Sequence, residues 1–151
     1  MVKHNKLLKT AINSSDIPHN WAYCFNDNCP RHETCLHHIS TIALDDSHTA
    51  GKAIFANALR PNDSCQHYKP MRIINTAWGF GRMFDEVKTK DAPILRALMR
   101  NYLGGNSMYY RYHHGIRRLS PEQQNWIKQL FERYGYKNIC FNYTREEIDF
   151  M

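Results

Sequence analysis

The sequence predicts a mainly α protein, a helix-turn-helix bundle with an irregular, Cys-rich, metal-binding module on its N-terminal side. Three observations lead there. Between Asp91 and Gly135 three segments with helical apolar spacing follow one another, each stopped by glycine. Cys24, Cys29 and Cys35 fall within twelve residues among turn-formers, and Cys65 follows a further turn. The net charge of +6 on 151 residues is concentrated in residues 87–137, where ten Lys/Arg face three Asp/Glu for a net of +7, whereas residues 1–50 carry a net of −1.

Composition narrows the class. Hydrophobic residues at 42% and aromatics at 13% are enough to close a core, and the length suits one compact domain or a domain with a small appended module. Charged residues at only 23% exclude a largely disordered chain. No apolar run approaches the ~20 residues of a membrane helix. No apolar stretch of signal-peptide length follows the basic start. The expectation is a cytoplasmic protein with no membrane association, whose cysteines are thiols or metal ligands rather than disulfides. No Ser/His/Asp spacing, P-loop, Gly-rich dinucleotide turn or paired-carboxylate motif occurs, so no catalytic residue is assigned and an enzyme is not expected.

In chain order, residues 1–15 read as a polar arm. Residues 16–70 form the Cys-rich module, punctuated by Pro18, Asn26-Asp27-Asn28, Pro30, Asp45-Asp46-Ser47 and Pro61-Asn62-Asp63-Ser64. His37–Leu44 and Lys52–Leu59 read as short helices or strands. Residues 71–137 form the helical unit. Trp78, Phe80, Met83, Phe84 and Val87 recur at helical spacing and predict a first helix over residues 78–87. Asp91 as N-cap and Pro93 open a second, with Ile94, Leu95, Leu98, Met99 and Tyr102 as apolar positions and Gly104-Gly105 as its stop. Asn106 or Ser107 then caps a short helix running to His114. Ser120-Pro121-Glu122-Gln123 carries the signature of a capping box for a last helix, whose apolar face is Trp126, Ile127, Leu130, Phe131 and Tyr134. Residues 138–151, including Ile139-Cys140-Phe141-Asn142-Tyr143, read as a short strand or a tail packed on the core.

The cysteine spacing predicts a shared ligand. Zinc takes four soft donors in a tetrahedron, and a turn-rich loop can wrap the ion while gaining folding energy from it. Cys24, Cys29, Cys35 and Cys65 are the expected ligands. His32, His37, His38 and His67 are alternatives to any one of them. An iron–sulfur cluster also takes four thiolates, and small buried thiols without a metal are the remaining reading. Cys140, alone in an apolar run, reads as core.

In the helical unit, Asp91–Tyr102 would brace a reading helix over residues 106–114. With Tyr109 and Tyr112 turned to the core, Ser107, Met108, Tyr110, Arg111 and His114 point outward. Arg117 and Arg118 follow in the next loop. Arg reads guanine bidentately, while hydroxyls and loop arginines suit phosphates. These seven residues are the expected contacts to double-stranded DNA. Tyr109, Tyr110 and Tyr112 as a stacking platform for a single strand is a second possibility.

The run Leu103-Gly104-Gly105-Asn106-Ser107 through Gly115-Ile116-Arg117-Arg118-Leu119-Ser120-Pro121-Glu122 resembles the Cro/phage-repressor type of helix-turn-helix domain over residues 76–135. It departs from that pattern in being about one residue shorter between the Leu-Gly turn and Gly115, and in placing Met99 or Tyr102 where a small residue is common. The string Ile17-Pro18-His19-Asn20-Trp21 through Cys35 also resembles a family of small uncharacterised bacterial proteins, which implies no activity. Together these readings predict a DNA-binding regulator with a structural zinc. The alternatives are a zinc-stabilised adaptor that meets a protein partner, or an iron–sulfur redox-sensing regulator.

Overall fold

The computed structural model describes residues 12–151; residues 1–11 of the expected polar arm lie outside the described residues. The described chain divides into two compact units. One takes in the residues up to Arg72 together with Ile148–Met151, and the other is Ile73–Glu147.

In the first unit, strands β1 (Ala22–Cys24) and β2 (Lys52–Ile54) pair in parallel, with Ala22 opposite Lys52 and Cys24 opposite Ile54. A parallel pair needs a crossover, which is supplied by a chain segment containing the single-turn helix α1 (Leu36–Ile39) and the 3-10 turn that continues it to Ala43. Antiparallel bridging of Cys35 with Pro70 ties the residue before α1 to the end of the Cys-rich stretch. The core is small. Ile12, Ile17, Leu36 and Ile39 are buried, with Trp21, Tyr23, Met71, Ile148 and Phe150 packed around them. A unit of this size with so few apolar side chains inside has little hydrophobic stabilisation to set against its chain entropy.

The second unit begins with β3 (Ile73–Trp78), which shares a two-stranded sheet with β4 (Tyr143–Ile148). Three helices follow β3: α2 (Ala92–Leu103), α3 (Asn106–His113) and α4 (Pro121–Arg133). α2 buries Leu95, Met99 and Leu103 at four-residue spacing, and α4 buries Gln124, Ile127, Leu130 and Phe131. Gln124 is satisfied inside, because its Nε2 donates to the Asn75 carbonyl at 2.8 Å and the Leu119 carbonyl at 3.1 Å. The capping box at Ser120 is formed in both directions, Gln123 N–H to Ser120 Oγ and Ser120 N–H to Gln123 Oε1.

Three expectations are corrected. The chain is not a mainly α helix-turn-helix bundle but a mixed α/β protein, with four helices and two small sheets among the described residues. The helix expected over residues 78–87 is absent. Ile73, Ile74 and Thr76 are β-branched and suit a strand, and Gly79 at a φ of +83° turns the chain out of β3, leaving only a 3-10 turn over Arg82–Phe84. The apolar side chains between 78 and 87 recur at helical spacing because both sides of a tight turn sink into the same core, where Phe80 and Met83 are buried. Finally, the N-terminal module is not a formed metal centre. Among the described residues no group of three or more His, Cys, Asp or Glu side chains is placed to hold a metal ion. Its backbone is organised by the β1–β2 ladder and the Cys35–Pro70 bridge.

Candidate functional site

The basic residues of the second unit lie on α2, α3, α4 and the segments beside them. Asp91 takes the N-cap position of α2 without a side-chain cap bond, and its carboxylate accepts the Tyr136 hydroxyl proton instead. That bond to a carboxylate holds the Tyr136 hydroxyl pKa above its ordinary value. Gly105, rather than Asn106 or Ser107, is the N-cap of α3, so neither side chain is spent on capping. Tyr109 and Tyr112 anchor α3 from its buried side. Burial also pushes the Tyr109 phenol above its ordinary pKa. The Arg100 guanidinium lies 5.3 Å from the Tyr109 ring centre, and that of Arg96 lies 4.3 Å from the Phe84 ring centre.

Of the seven residues expected to meet DNA, Ser107, Tyr110, Arg111, His114 and Arg117 are exposed. Tyr110 and His114, one helical turn apart, stack with ring centres 6.1 Å apart and planes 19° from parallel. The other two are turned inward. Met108 packs against the core. Arg118 lies over the Trp78 ring at 4.7 Å and pairs with Glu147. Apart from Arg118, none of the basic side chains in residues 88–137 makes an ion pair among the described residues. Seven of them, Lys88, Lys90, Arg111, Arg117, Lys128, Arg133 and Lys137, are exposed. Exposed cations left without carboxylate partners each carry a positive field into solvent.

The same helix ends in a histidine pair. His113 Nδ1 accepts the Phe80 amide proton at 3.1 Å, and its ring lies 4.9 Å from that of His114. Burial, and after it the neighbouring His114, hold the His113 pKa below its ordinary value.

In the first unit all four candidate ligands, Cys24, Cys29, Cys35 and Cys65, are free thiols. They line one cavity of about 30 Å³, together with His32, His37, His38 and His67. The four cysteines singled out by spacing thus line one void, although they are not arranged as a ligand set. Two of the imidazoles have a defined tautomer. His32 Nδ1 lies 2.7 Å from the Cys29 carbonyl, and His37 Nδ1 lies 2.7 Å from the Ala22 carbonyl. A carbonyl oxygen only accepts, so Nδ1 donates in both and Nε2 keeps its lone pair in the neutral ring. His37 also stacks on Trp21 at 4.2 Å. Burial lowers its pKa and outweighs the opposing bond to Ala22. His38 instead pairs with Asp27 through Nε2 at 2.8 Å. Cys140, read as core, is exposed. Its neighbour Phe141 is the buried member of that run.

The sequence reading missed an open groove beside this cavity, whose lining includes Lys52, Phe55 and Arg60. No spacing rule flags these residues, because the β1–β2 pairing is what groups them with His37 and His67.

Residues 5–150 match a family model described as "Family of unknown function (DUF6078)". No curated protein and no solved structure matches the chain.

Proposed function

Since the chain belongs to the DUF6078 family of unknown function, we propose that it is a DNA-binding regulatory protein that meets the duplex with the exposed side of α3 and the cations around it. The observation that carries this reading is the run of basic side chains over residues 88–137 that, Arg118 apart, lack carboxylate partners among the described residues. Such a surface exchanges counterions for phosphates, the main source of affinity for a duplex. Arg111 is exposed in the last turn of α3, where its guanidinium is free to read a base edge, while Ser107, Tyr110, His114 and Arg117 flank it with groups suited to phosphate contact. A single-strand stacking platform is less favoured, because Tyr109 and Tyr112 are buried and only Tyr110 of the three has an open face.

We further propose zinc as the cofactor of the first unit. Cys24, Cys29, Cys35, Cys65, His32 and His37 line one cavity of about 30 Å³, and a unit with so small a core would gain stability from a bound ion.

The function is tested by titrating labelled duplex DNA with the intact, zinc-supplemented protein over a range of salt concentrations. Binding is expected to weaken steeply with salt. Arg117→Ala should weaken binding on all sequences and flatten the log–log salt slope by about 1. Arg111→Ala should also relax sequence preference. Absence of salt-sensitive binding, or co-purification of a stoichiometric protein partner that survives nuclease, replaces this reading with the adaptor.

A further inference from the structure

We propose that the groove along the β1–β2 ladder of the first unit binds a nucleoside phosphate. The groove encloses about 630 Å³ and opens to solvent, which is within the size range of small-molecule sites. Every titratable side chain lining it is a base (Lys52, Arg60, His37 and His67), and no carboxylate lines it among the described residues. The parallel register brings this about. Lys52 stands opposite Ala22, whose carbonyl orients His37, and the chain after β2 returns Arg60 to the same groove. Neither the Lys52 ammonium nor the Arg60 guanidinium has an ion pair or hydrogen bond with another described group. Cations gathered in a concave surface without acids focus a positive potential, and a guanidinium fork matches two phosphate oxygens.

A second observation defines the rest of the ligand. Phe55 lines the groove with 76% of its surface exposed. A phenyl ring left this bare beside a cationic groove offers a stacking face for a flat heterocycle. Asn57 adds a neutral side chain able to donate to and accept from a base edge or a sugar hydroxyl. Inorganic phosphate would use the cations and leave the ring idle, whereas a nucleoside phosphate uses both ends.

The proposal is independent of the DNA reading, since its residues all lie in the first unit. The full-length protein is titrated calorimetrically at low salt with AMP, adenosine and inorganic phosphate, and with a short 5′-phosphorylated single strand to tell a free nucleotide from a strand end. Saturable binding of AMP or of the phosphorylated strand end is expected. Lys52→Ala combined with Arg60→Ala should weaken it by about tenfold or more. Phe55→Ala should weaken AMP but not inorganic phosphate. All three positions are exposed, so the variants should keep the wild-type melting temperature. Arg111→Ala in the second unit should leave AMP binding unchanged. The proposal is overturned if neither AMP nor the strand end binds, if the double variant binds as the wild type does, or if Phe55→Ala has no effect on AMP.

Discussion

The Phe80 backbone amide donates to His113 Nδ1 at 3.1 Å, a contact that only an imidazole with an unprotonated Nδ1 can accept. Phe80 itself is buried in the core of its unit, and its ring lies 5.8 Å from that of His113.

The consequence is a stability that falls with acid. Burial and His114 depress the His113 pKa below the ordinary 6.5 in the folded state. The unfolded chain therefore takes up this proton first. The stabilisation is fully present above the ordinary value and is lost as pH falls through the folded one. In urea titrations from about pH 7.5 to about pH 5.5, the wild type should lose stability. His113→Asn, which keeps an acceptor but does not titrate, should flatten the slope. Parallel slopes for the two proteins would remove His113 from the account.

Gly115 has a φ of +76°, and a Cβ built there would stand 2.7 Å from Cδ1 of Trp78. The indole has no room to retreat, since it stacks on Tyr143 at 5.3 Å and is covered by Arg118. Gly115→Ala should cost about 2–4 kcal/mol from the combined backbone and packing strain. Denaturant unfolding of the variant measures this, and a loss below about 1 kcal/mol would show that Trp78 yields freely.

The register of α2 makes two neighbouring residues unequal. Leu95 is fully buried and Ile94 is 46% exposed. Leu95→Ala should cost about 2–5 kcal/mol and Ile94→Ala within about 0.5–1 kcal/mol. Equal losses would mean that the helix buries a different face.

Protein purified without chelator is expected to contain close to one zinc per chain by elemental analysis, and to melt at a lower temperature after chelation. Cys65→Ser should lower both metal content and melting temperature. A colourless, metal-free protein whose melting is indifferent to zinc and to this substitution would leave the thiols as small apolar side chains, and a brown protein would indicate iron.

The three helices after residue 90 were legible because each carries its own punctuation. Pro93, the Gly104-Gly105 turn and the Ser120–Gln123 box are local signals, and the structure places helix boundaries within a residue or two of them. The pairing of neither sheet was legible, although Lys52–Leu59, which holds β2, is open to a strand reading. β1 and β2 are three residues each, too short for alternation to register, and they pair with a partner about thirty residues away. Residues 78–87 misled because a turn folded into a core spaces its apolar residues as a helix does.

The candidate sites divide the same way. Chemistry was visible in composition: four cysteines with nearby histidines, and a run of cations with few acids. The sequence by itself determined which residue types are present and, through caps and glycines, where the helices of residues 91–135 begin and end. Only the tertiary structure decided which of those residues share a surface. It turned Arg118 into a partner of Glu147 and Trp78, left Arg111 and Arg117 exposed, and placed Lys52, Phe55 and Arg60 with His37 along one groove. The physical reason is range. Capping and periodicity act within a few residues, whereas a surface or cavity is assembled by strand pairing and core burial between segments that carry no local mark of each other.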